Sequence, residues 1–294
     1  PPRNTSLARS REILAGLGAT AVDVNSSYRP QSDKPCHGED CAAPQLIGWS
    51  PAAASACRAS PSVGLVDTHV DTAHPALAGQ VVEVVDLRPE GSHRSGSSHG
   101  TAIAALIAGK ETDGVSGLLP SARIIVAVPY YRTSRGDNRA EAFDVVRALD
   151  TLLARRPHVI NMSLTGPPNA VIERILLRAA ELGVPMVAAA GNAGARARPL
   201  YPAAYETAVA VTAVSTSLRI YRRASQEPHV DFAAPGVDLR IPAATRRTDR
   251  RTGTSFAAPF VSAAIAVLRQ AQPDASVAEV VDQFAASARD LGAP

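Results

Sequence analysis

The sequence predicts an α/β fold: a doubly wound, mostly parallel sheet with helices on both faces, preceded by a short N-terminal extension. Short segments that are apolar throughout alternate with longer segments of helical periodicity, and such strands belong to sheets covered on both faces. Polar residues stand directly after several of these strands, which is where such a fold places its functional site. The 294 residues suffice for one large domain, or for one domain with an appendage.

The first part of the chain is interpreted as the extension. Residues 7–17 have the pattern of a short amphipathic helix, and residues 20–24 follow as a strand. Residues 25–44 are polar and contain several prolines, which is typical of a linker. We therefore place a domain boundary near residue 45, so that residues 1–45 form the extension and residues 46–294 the main domain.

In the main domain, strands are predicted where a short run is apolar throughout, and helices where apolar residues recur every three to four positions. Such alternation places the strands in parallel, with helices as crossover connections. The predicted strands cover residues 63–66, 123–128, 158–163, 184–190 and 208–214. The predicted helices cover residues 100–108, 139–154, 170–182, 256–271 and 277–286.

Composition argues against several classes of protein. A hydrophobic fraction of 46% is too high for a disordered chain, and 20 Gly and 23 Pro without a period do not fit a collagen-like one. The net charge is only +3 and no dense basic tract contains aromatic residues, so we expect no nucleic-acid partner. The longest nearly apolar run, residues 257–268, is far shorter than the roughly 20 residues that span a bilayer, so no membrane span is predicted.

Polar residues at the ends of three predicted strands are candidates for a site. Asp67 follows the first strand, Ser163 ends the third, and Asn192 follows the fourth. Taken singly, such residues most often have structural roles in caps and turns.

Two further polar residues stand where helices begin. His99 precedes the predicted helix over 100–108, and Ser255 precedes the one over 256–271. A helix N-terminus presents free N–H groups, so a serine there can be a nucleophile whose own N–H helps to bind an oxyanion. We expect Pro259 in the first turn of its helix, where proline is tolerated.

The chain order of these residues is Asp67, His99, Asn192, Ser255. An α/β-hydrolase would contain Gly-x-Ser-x-Gly and the order Ser, Asp, His, while a chymotrypsin-like enzyme would run His, Asp, Ser on antiparallel barrels. Asp, His, Ser on a parallel α/β sheet is the order of subtilisin. Because all four residues occur together in this order, catalytic roles are favoured over separate structural roles.

The chain resembles the subtilases, the subtilisin-like serine endopeptidases, over roughly residues 46–290. Several motifs in the family's order and spacing make this resemblance specific. The matching segments are Val-Gly-Leu-Val-Asp-Thr at 63–68, His-Gly-Thr-Ala-Ile-Ala at 99–104, Val-Ile-Asn-Met-Ser-Leu-Thr-Gly at 159–166, Ala-Ala-Ala-Gly-Asn at 188–192 and Gly-Thr-Ser-Phe-Ala-Ala-Pro at 253–259.

The resemblance implies hydrolysis of peptide bonds in extended polypeptide substrates. Ser255 would attack the carbonyl, His99 would take and return the proton, and Asp67 would orient the imidazole. Asn192 and the backbone N–H of Ser255 would form the oxyanion hole. The implied substrate-binding residues are Ser163, Leu164, Thr165 and Gly166, opposed by an edge strand around residues 132–136 that includes Gly136. Nothing charged occurs in Ser163–Gly166 or in Ala188–Gly191, so we expect a neutral or apolar P1 residue.

Three positions depart from the family pattern. Ala105 and Thr165 stand where glycine is usual, and Phe256 stands where methionine is usual. These side-chain changes bear on specificity more than on activity. Asn161 is interpreted as a residue that fixes a loop.

Three alternative functions are compatible with parts of the sequence. A metal hydrolase is considered because six aspartate and histidine residues cluster early in the domain, but no Cys pair or His-Glu-x-x-His spacing accompanies them, so no metal site is predicted. A catalytically silent binding module of the same fold is the second alternative. A subtilase-like peptide cyclase or transpeptidase, which passes the acyl group to an amine, is the third. The clustered residues are Asp67, His69, Asp71, His74, His93 and His99.

No cofactor is expected to be required. Some family members bind structural calcium, and Glu111 and Asp113 offer oxygen ligands, but an exposed acidic turn is the preferred interpretation. The resemblance also implies an inhibitory N-terminal propeptide, and the helix and strand predicted in residues 1–30 fit its last elements. We favour export, because a disulfide between Cys36 and Cys41 would close a short polar loop; three reduced thiols, with Cys57, in a cytosolic enzyme are the alternative.

Overall fold

The structure is a computed structural model and describes residues 43, 46–49, 60–112, 114–242 and 250–291. The helix and strand predicted for the extension lie outside the described residues, as do the three cysteines, Asp113 and all of the predicted linker except Ala43. The boundary near residue 45 therefore stays a prediction.

The main sheet has seven strands, and every neighbouring pair in it is parallel. Its strands are β1 (Ser62–Val66), β2 (Val82–Asp86), β4 (Arg123–Val128), β7 (Val159–Met162), β8 (Met186–Ala189), β9 (Ala208–Val214) and β10 (Phe232–Pro235). They stand in the order β10-β9-β8-β7-β1-β4-β2. On one side of β1 the chain first forms the edge strand β2 and then β4 between them, and on the other side β7 to β10 follow outward, so the strand order reverses between β1 and β7. The carboxyl ends of the strands at such a reversal form the ligand crevice of this type of sheet.

A separate small antiparallel sheet consists of β3 (His93–Arg94), β5 (Tyr131–Arg132) and β6 (Asn138–Arg139). β5 and β6 are the arms of a hairpin, and Gly136 lies in its turn with a φ of 88°. The edge strand expected around residues 132–136 therefore ends at Arg132, because the chain turns back there.

Helices cover both faces of the main sheet. On one face lie α2 (Ala142–Leu153) and α3 (Ala170–Glu181); on the other lie α1 (Ser98–Ala108), α4 (Thr254–Ala271) and α5 (Val277–Ser287). Side chains along β4 alternate between the two cores: Ile124 and Val126 join α1 and α4, whereas Ile125 and Ala127 join α2 and α3. The predicted doubly wound parallel sheet is thus confirmed.

The two edge strands of the main sheet were not predicted. β2 is only partly buried and contains Glu83, while β10 contains Pro235, so neither is a continuous apolar run. Proline is tolerated on edge strands because its missing N–H is not needed there. The start of α4 also differs: the helix begins at Thr254, so Pro259 lies in its second turn and the expectation of a first-turn position is wrong.

Among the residues that the structure describes, no helix combines the length and the apolar character needed to cross a membrane.

Candidate active site

Asp67 and His99 are in direct contact. Asp67 immediately follows β1, and His99 lies in the first turn of α1. The Nδ1 atom of His99 is 2.7 Å from Oδ1 of Asp67, whose side chain is 2% exposed while that of His99 is 35% exposed. The buried carboxylate accepts the Nδ1–H of the ring, so Nε2 of the neutral imidazole is the atom that can take up a proton.

Thr68 joins the loop after β1 to the start of α1. Its N–H donates to Oδ1 of Asp67 at 2.6 Å, and its Oγ1 accepts the N–H of Gly100 at 3.0 Å. N–H groups in the first turn have no acceptor within their own helix, so Thr68 caps α1 from outside. A Cβ on Gly100 would lie 2.4 Å from the carbonyl oxygen of Thr68. Glycine is therefore needed for the close approach that brings His99 to Asp67.

The charges around His99 determine its basicity. The Asp67 carboxylate raises the pKa of His99 above its usual 6.5, and the hydrogen bond between them adds to the effect. Burial and the positive charge of Arg251 lower the pKa of His99 without cancelling the rise. A histidine with a pKa near the working pH is suited to act as a general base and then as a general acid.

Ser255 lies in the first turn of α4, and the following residue, Phe256, packs its ring against that of His99 with 5.6 Å between centroids. The hydroxyl of Ser255 donates to the carbonyl oxygen of Ser163 at 3.4 Å, and among the described residues no hydrogen bond joins it to His99. Catalytic hydrogen bonds often tighten only when substrate is bound. The structure thus brings Ser255 and His99 to one site without forming the bond between them.

Pro259 changes the hydrogen bonding of Ser255. A helical residue at this position would donate its N–H to the Ser255 carbonyl, but proline has no N–H. That carbonyl instead accepts the hydroxyl of Ser163 at 3.1 Å, and the Ser163 Oγ accepts Nδ2–H of Asn161 at 2.9 Å. The residue that carries the candidate nucleophile is thereby bonded to the end of β7.

Asn192 is held by the residue that precedes Ser255. Its Oδ1 accepts the N–H of Thr254 at 3.0 Å and the hydroxyl of Thr254 at 3.3 Å. The Thr254 Oγ1 also accepts the N–H of Gly191 at 3.0 Å. With Oδ1 occupied, the amide N–H groups of Asn192 are available as donors beside the N-terminus of α4. This is the arrangement that an oxyanion hole requires.

The segment Ser163–Gly166 continues from β7 along the site. Its far end is fixed because Gly166 and Tyr201 exchange backbone hydrogen bonds of 2.7 and 3.0 Å. Leu164 packs against the core under α2 and α3, and the methyl group of Thr165 lies beside Gly191. Of the predicted substrate-binding residues, the structure therefore brings Ser163 to Ser255 and Thr165 to the Asn192 loop.

Gly136 lies apart from this arrangement, in the turn of the β5–β6 hairpin, where its carbonyl accepts Nε–H of Arg132 at 3.2 Å. The hairpin reaches the site through Asn138, whose Oδ1 accepts the N–H of Gly96, close before His99, at 2.9 Å.

Two of the residues considered for a metal, Asp71 and His74, have local hydrogen-bond partners. Asp71 Oδ1 accepts the N–H of Ala73 at 3.0 Å, and His74 Nδ1 accepts the N–H of Ala76 at 3.2 Å. Within the described part of the chain, no group of three or more Cys, His, Asp or Glu residues could hold a metal ion.

Four residues of the site were not predicted from the sequence: Thr68, Thr254, Asn138 and Arg251. Thr254 belongs to the motif at residues 253–259, but its partner Asn192 is 62 positions away. A contact between residues so far apart cannot be predicted from a single sequence. Asn138 and Arg251 reach the site through loop geometry, which no periodicity encodes. Only Thr68, which directly follows Asp67 at the end of β1, offered a hint.

Comparisons with known proteins agree with this geometry. The family model described as "Subtilase family" matches residues 58–294. The major intracellular serine protease of Bacillus subtilis (strain 168) is 28% identical over 219 residues, which are 70% of this chain and 67% of that protein. Subtilisin E of the same organism is 30% identical over 238 residues, 78% of this chain and 61% of that protein. The solved structure of the prenylagaramide maturation protease PagA gives a TM-score of 0.60 at 27% identity, covering 72% of this chain and 76% of that one.

A parallel α/β sheet with aspartate, histidine and serine at the ends of its elements, in that chain order, defines a class of serine hydrolase. The chain belongs to the subtilase family of subtilisin-like serine proteases. It spans 61% of the length of subtilisin E and 67% of that of the intracellular protease.

Proposed function

We propose that the protein is a serine endopeptidase that hydrolyses peptide bonds of extended polypeptides through an acyl-enzyme. Ser255 is the nucleophile, His99 the general base and acid, and Asp67 the residue that orients His99. The observation that carries the proposal is the 2.7 Å contact of His99 with the buried Asp67, at the site where Ser255 and the Asn192 amide also lie.

In the first half of the reaction, the hydroxyl oxygen of Ser255 adds to the carbonyl carbon while its proton passes to Nε2 of His99. The oxyanion accepts hydrogen bonds from the Asn192 amide and from the backbone N–H of Ser255. The C–N bond then breaks and His99 gives its proton to the leaving amine. In the second half, His99 deprotonates a water molecule, which hydrolyses the ester of Ser255.

The substrate would lie extended along Ser163–Gly166 and add to it as a strand, with main-chain hydrogen bonds giving affinity. We propose a neutral or apolar P1 residue, since Thr165 and Leu200 place apolar groups beside Gly191. No metal or other cofactor takes part in these steps.

Labelling with a serine-directed fluorophosphonate tests the proposal. The wild-type protein should be labelled at Ser255 and should cleave an unstructured protein such as casein, both unaffected by EDTA. Ser255→Ala should lose label and activity while unfolding at the same denaturant concentration. Ser217→Ala, at an exposed loop serine, is the matched control and should retain both.

Other results of this test would overturn the proposal. A folded protein that neither reacts with the probe nor cleaves any peptide would be a silent binding module. Inactivation by EDTA without labelling of Ser255 would indicate metal-dependent hydrolysis.

A second candidate is supported by the likeness to a protease whose name describes maturation. The same acyl-enzyme can be attacked by an amine instead of water, which joins or cyclises peptides. Mass spectrometry of the products separates the two functions: hydrolysis adds one water per cut, whereas transfer to an amine forms a new peptide bond.

We also propose that the protein is exported and that residues 1–45 contain the end of an inhibitory propeptide. The names of relatives support either compartment, since one is called an intracellular and another an extracellular protease. Sequencing the N-terminus of the natural protein from cells and from medium tests both points. A mature chain that begins near residue 45 in the medium would support them, and a full extension on protein found only within cells would contradict them.

A further inference from the structure

A cleft of about 420 Å³ opens beside His99, outside the substrate segment already described. His99 and Phe256 form one wall, and Ser98, Asn138, Arg251 and Thr252 contribute to the others. Neither Asn192 nor any residue of Ser163–Gly166 lines it. The cleft therefore adjoins the catalytic residues on the side away from the acyl half of the substrate.

Two arginines, Arg250 and Arg251, line this cleft, and Arg251 is the one that contacts Ser98, the residue before His99. The backbone of Arg251 exchanges two hydrogen bonds of 2.8 Å with Leu239, and its Nη2 donates to Oγ of Ser98 at 3.3 Å. Its Nε is buried and has no hydrogen-bond partner among the described residues. The buried Nε–H is shielded from a ligand, but the rest of the guanidinium, held beside Ser98, carries the positive charge and the N–H donors that suit a carboxylate.

The charge of Arg251 also acts on the reacting groups, because it lowers the pKa of His99. His99 delivers its proton to the leaving amine, so the residues that follow the scissile bond depart past its ring. The wall formed by His99 and Phe256 is therefore the wall that the leaving half of the substrate meets first.

We propose that Arg251 binds the side-chain carboxylate of an aspartate or glutamate in the first or second residue after the scissile bond (P1′ or P2′). The enzyme would then select peptides that are neutral before the cut and acidic after it. This inference rests on the proposed endopeptidase function and adds the class of substrate.

Matched pairs of internally quenched peptides test the inference. The members of a pair differ only by Glu or Gln at P1′, and a second pair differs in the same way at P2′. The wild-type protein should cleave the Glu member of at least one pair with a kcat/KM on the order of tenfold higher, the gain expected for one charge-assisted hydrogen bond. The preference should weaken with added salt, because a partly exposed ion pair is screened.

Variants assign the preference to one side chain. Arg251→Gln should bring the Glu/Gln ratio close to one, and Arg251→Lys should retain part of the ratio. Arg174→Gln, at an exposed position on α3 across the sheet, makes the same charge change and should leave the ratio unaltered. Denaturant titration reports whether each variant is folded.

Equal cleavage of Glu and Gln members by the wild-type protein would overturn the inference, as would a ratio that survives in Arg251→Gln. An acidic preference found only at P2, before the cut, would also overturn it by placing Arg251 on the acyl side. In each of these cases Ser255 is still labelled and peptides are still cut. Failure of the proposed function looks different, since neither labelling nor cleavage would then occur.

Discussion

Ser262 donates a hydrogen bond of 2.9 Å from its hydroxyl to Oδ1 of Asn161, and both side chains are buried. The first residue lies within α4 and the second at the end of β7. Because Asn161 bonds to Ser163 and Ser163 to the carbonyl of Ser255, a continuous set of hydrogen bonds holds the helix of the proposed nucleophile against the central strands.

Removing the Ser262 hydroxyl should destabilise the fold. Ser262→Ala leaves a buried amide oxygen of Asn161 without its donor, which costs about 1–3 kcal/mol of the free energy of unfolding. Denaturant titration measures this loss. Ser287→Ala, at an exposed serine that bonds only to the carbonyl of Phe284, should cost much less. An equal loss of unfolding free energy in the two variants would show that the hydrogen bond to Asn161 does not contribute more to stability than an exposed one.

Gly100→Ala should impair both stability and catalysis. The new Cβ would meet the Thr68 carbonyl at 2.4 Å and that of His69 at 2.8 Å, so α1 must move away from Asp67. A displacement of about 1 Å in a catalytic group can lower kcat on the order of 10²-fold. Gly96→Ala is the control nearby, since its Cβ would have no contact closer than 3.6 Å. A Gly100→Ala enzyme with normal kcat would contradict the close-packing argument.

The pH profile of kcat/KM should report the titration of His99. Activity requires the neutral ring, and Asp67 holds the pKa of His99 above 6.5, so activity should be lost as the pH falls through a value above 6.5. Arg251→Gln removes a charge that lowers the pKa of His99, so its acid limb should lie at a higher pH than that of the wild type. Initial rates between pH 5 and 9 measure both effects. A limb that moves to lower pH in Arg251→Gln would refute the assigned electrostatics.

Asn192→Ala should reduce kcat with little change in KM. It removes one donor to the oxyanion, and the loss of one such donor from subtilisin lowers kcat about 10²–10³-fold. Thr254→Val should also reduce kcat, though less, because it loses the hydroxyl that bonds to Asn192 and Gly191 but keeps the Thr254 N–H that holds Asn192. Thr254→Ser keeps that hydroxyl and should be close to wild type. Steady-state kinetics on one peptide substrate compare the three, and a KM effect without a kcat effect would point to substrate binding alone.

The central strands and the helices could be predicted because their residues are buried on both faces or have a clear period. Asp67, His99, Asn192 and Ser255 were recognised by order and motif, and the structure brings Asp67 to His99 and Asn192 to Thr254. The edge strand β2 and the hairpin that carries Asn138 were not predicted, because exposed and very short strands have no hydrophobic pattern. The position of Pro259 within α4 depends on where the helix begins. The helix begins two residues earlier than predicted, so Pro259 lies in the second turn instead of the first.

Thr254 has no exposed surface, yet its N–H and hydroxyl both bond to Asn192. The proposed oxyanion donors are thus immobilised when the chain folds, and their conformational entropy is lost at that stage rather than during turnover. An inhibitor that mimics the tetrahedral intermediate, such as a peptide boronate, should consequently bind in a single fast step. A slow-onset phase would contradict this expectation, because it would show that the site around Thr254 rearranges when the inhibitor binds.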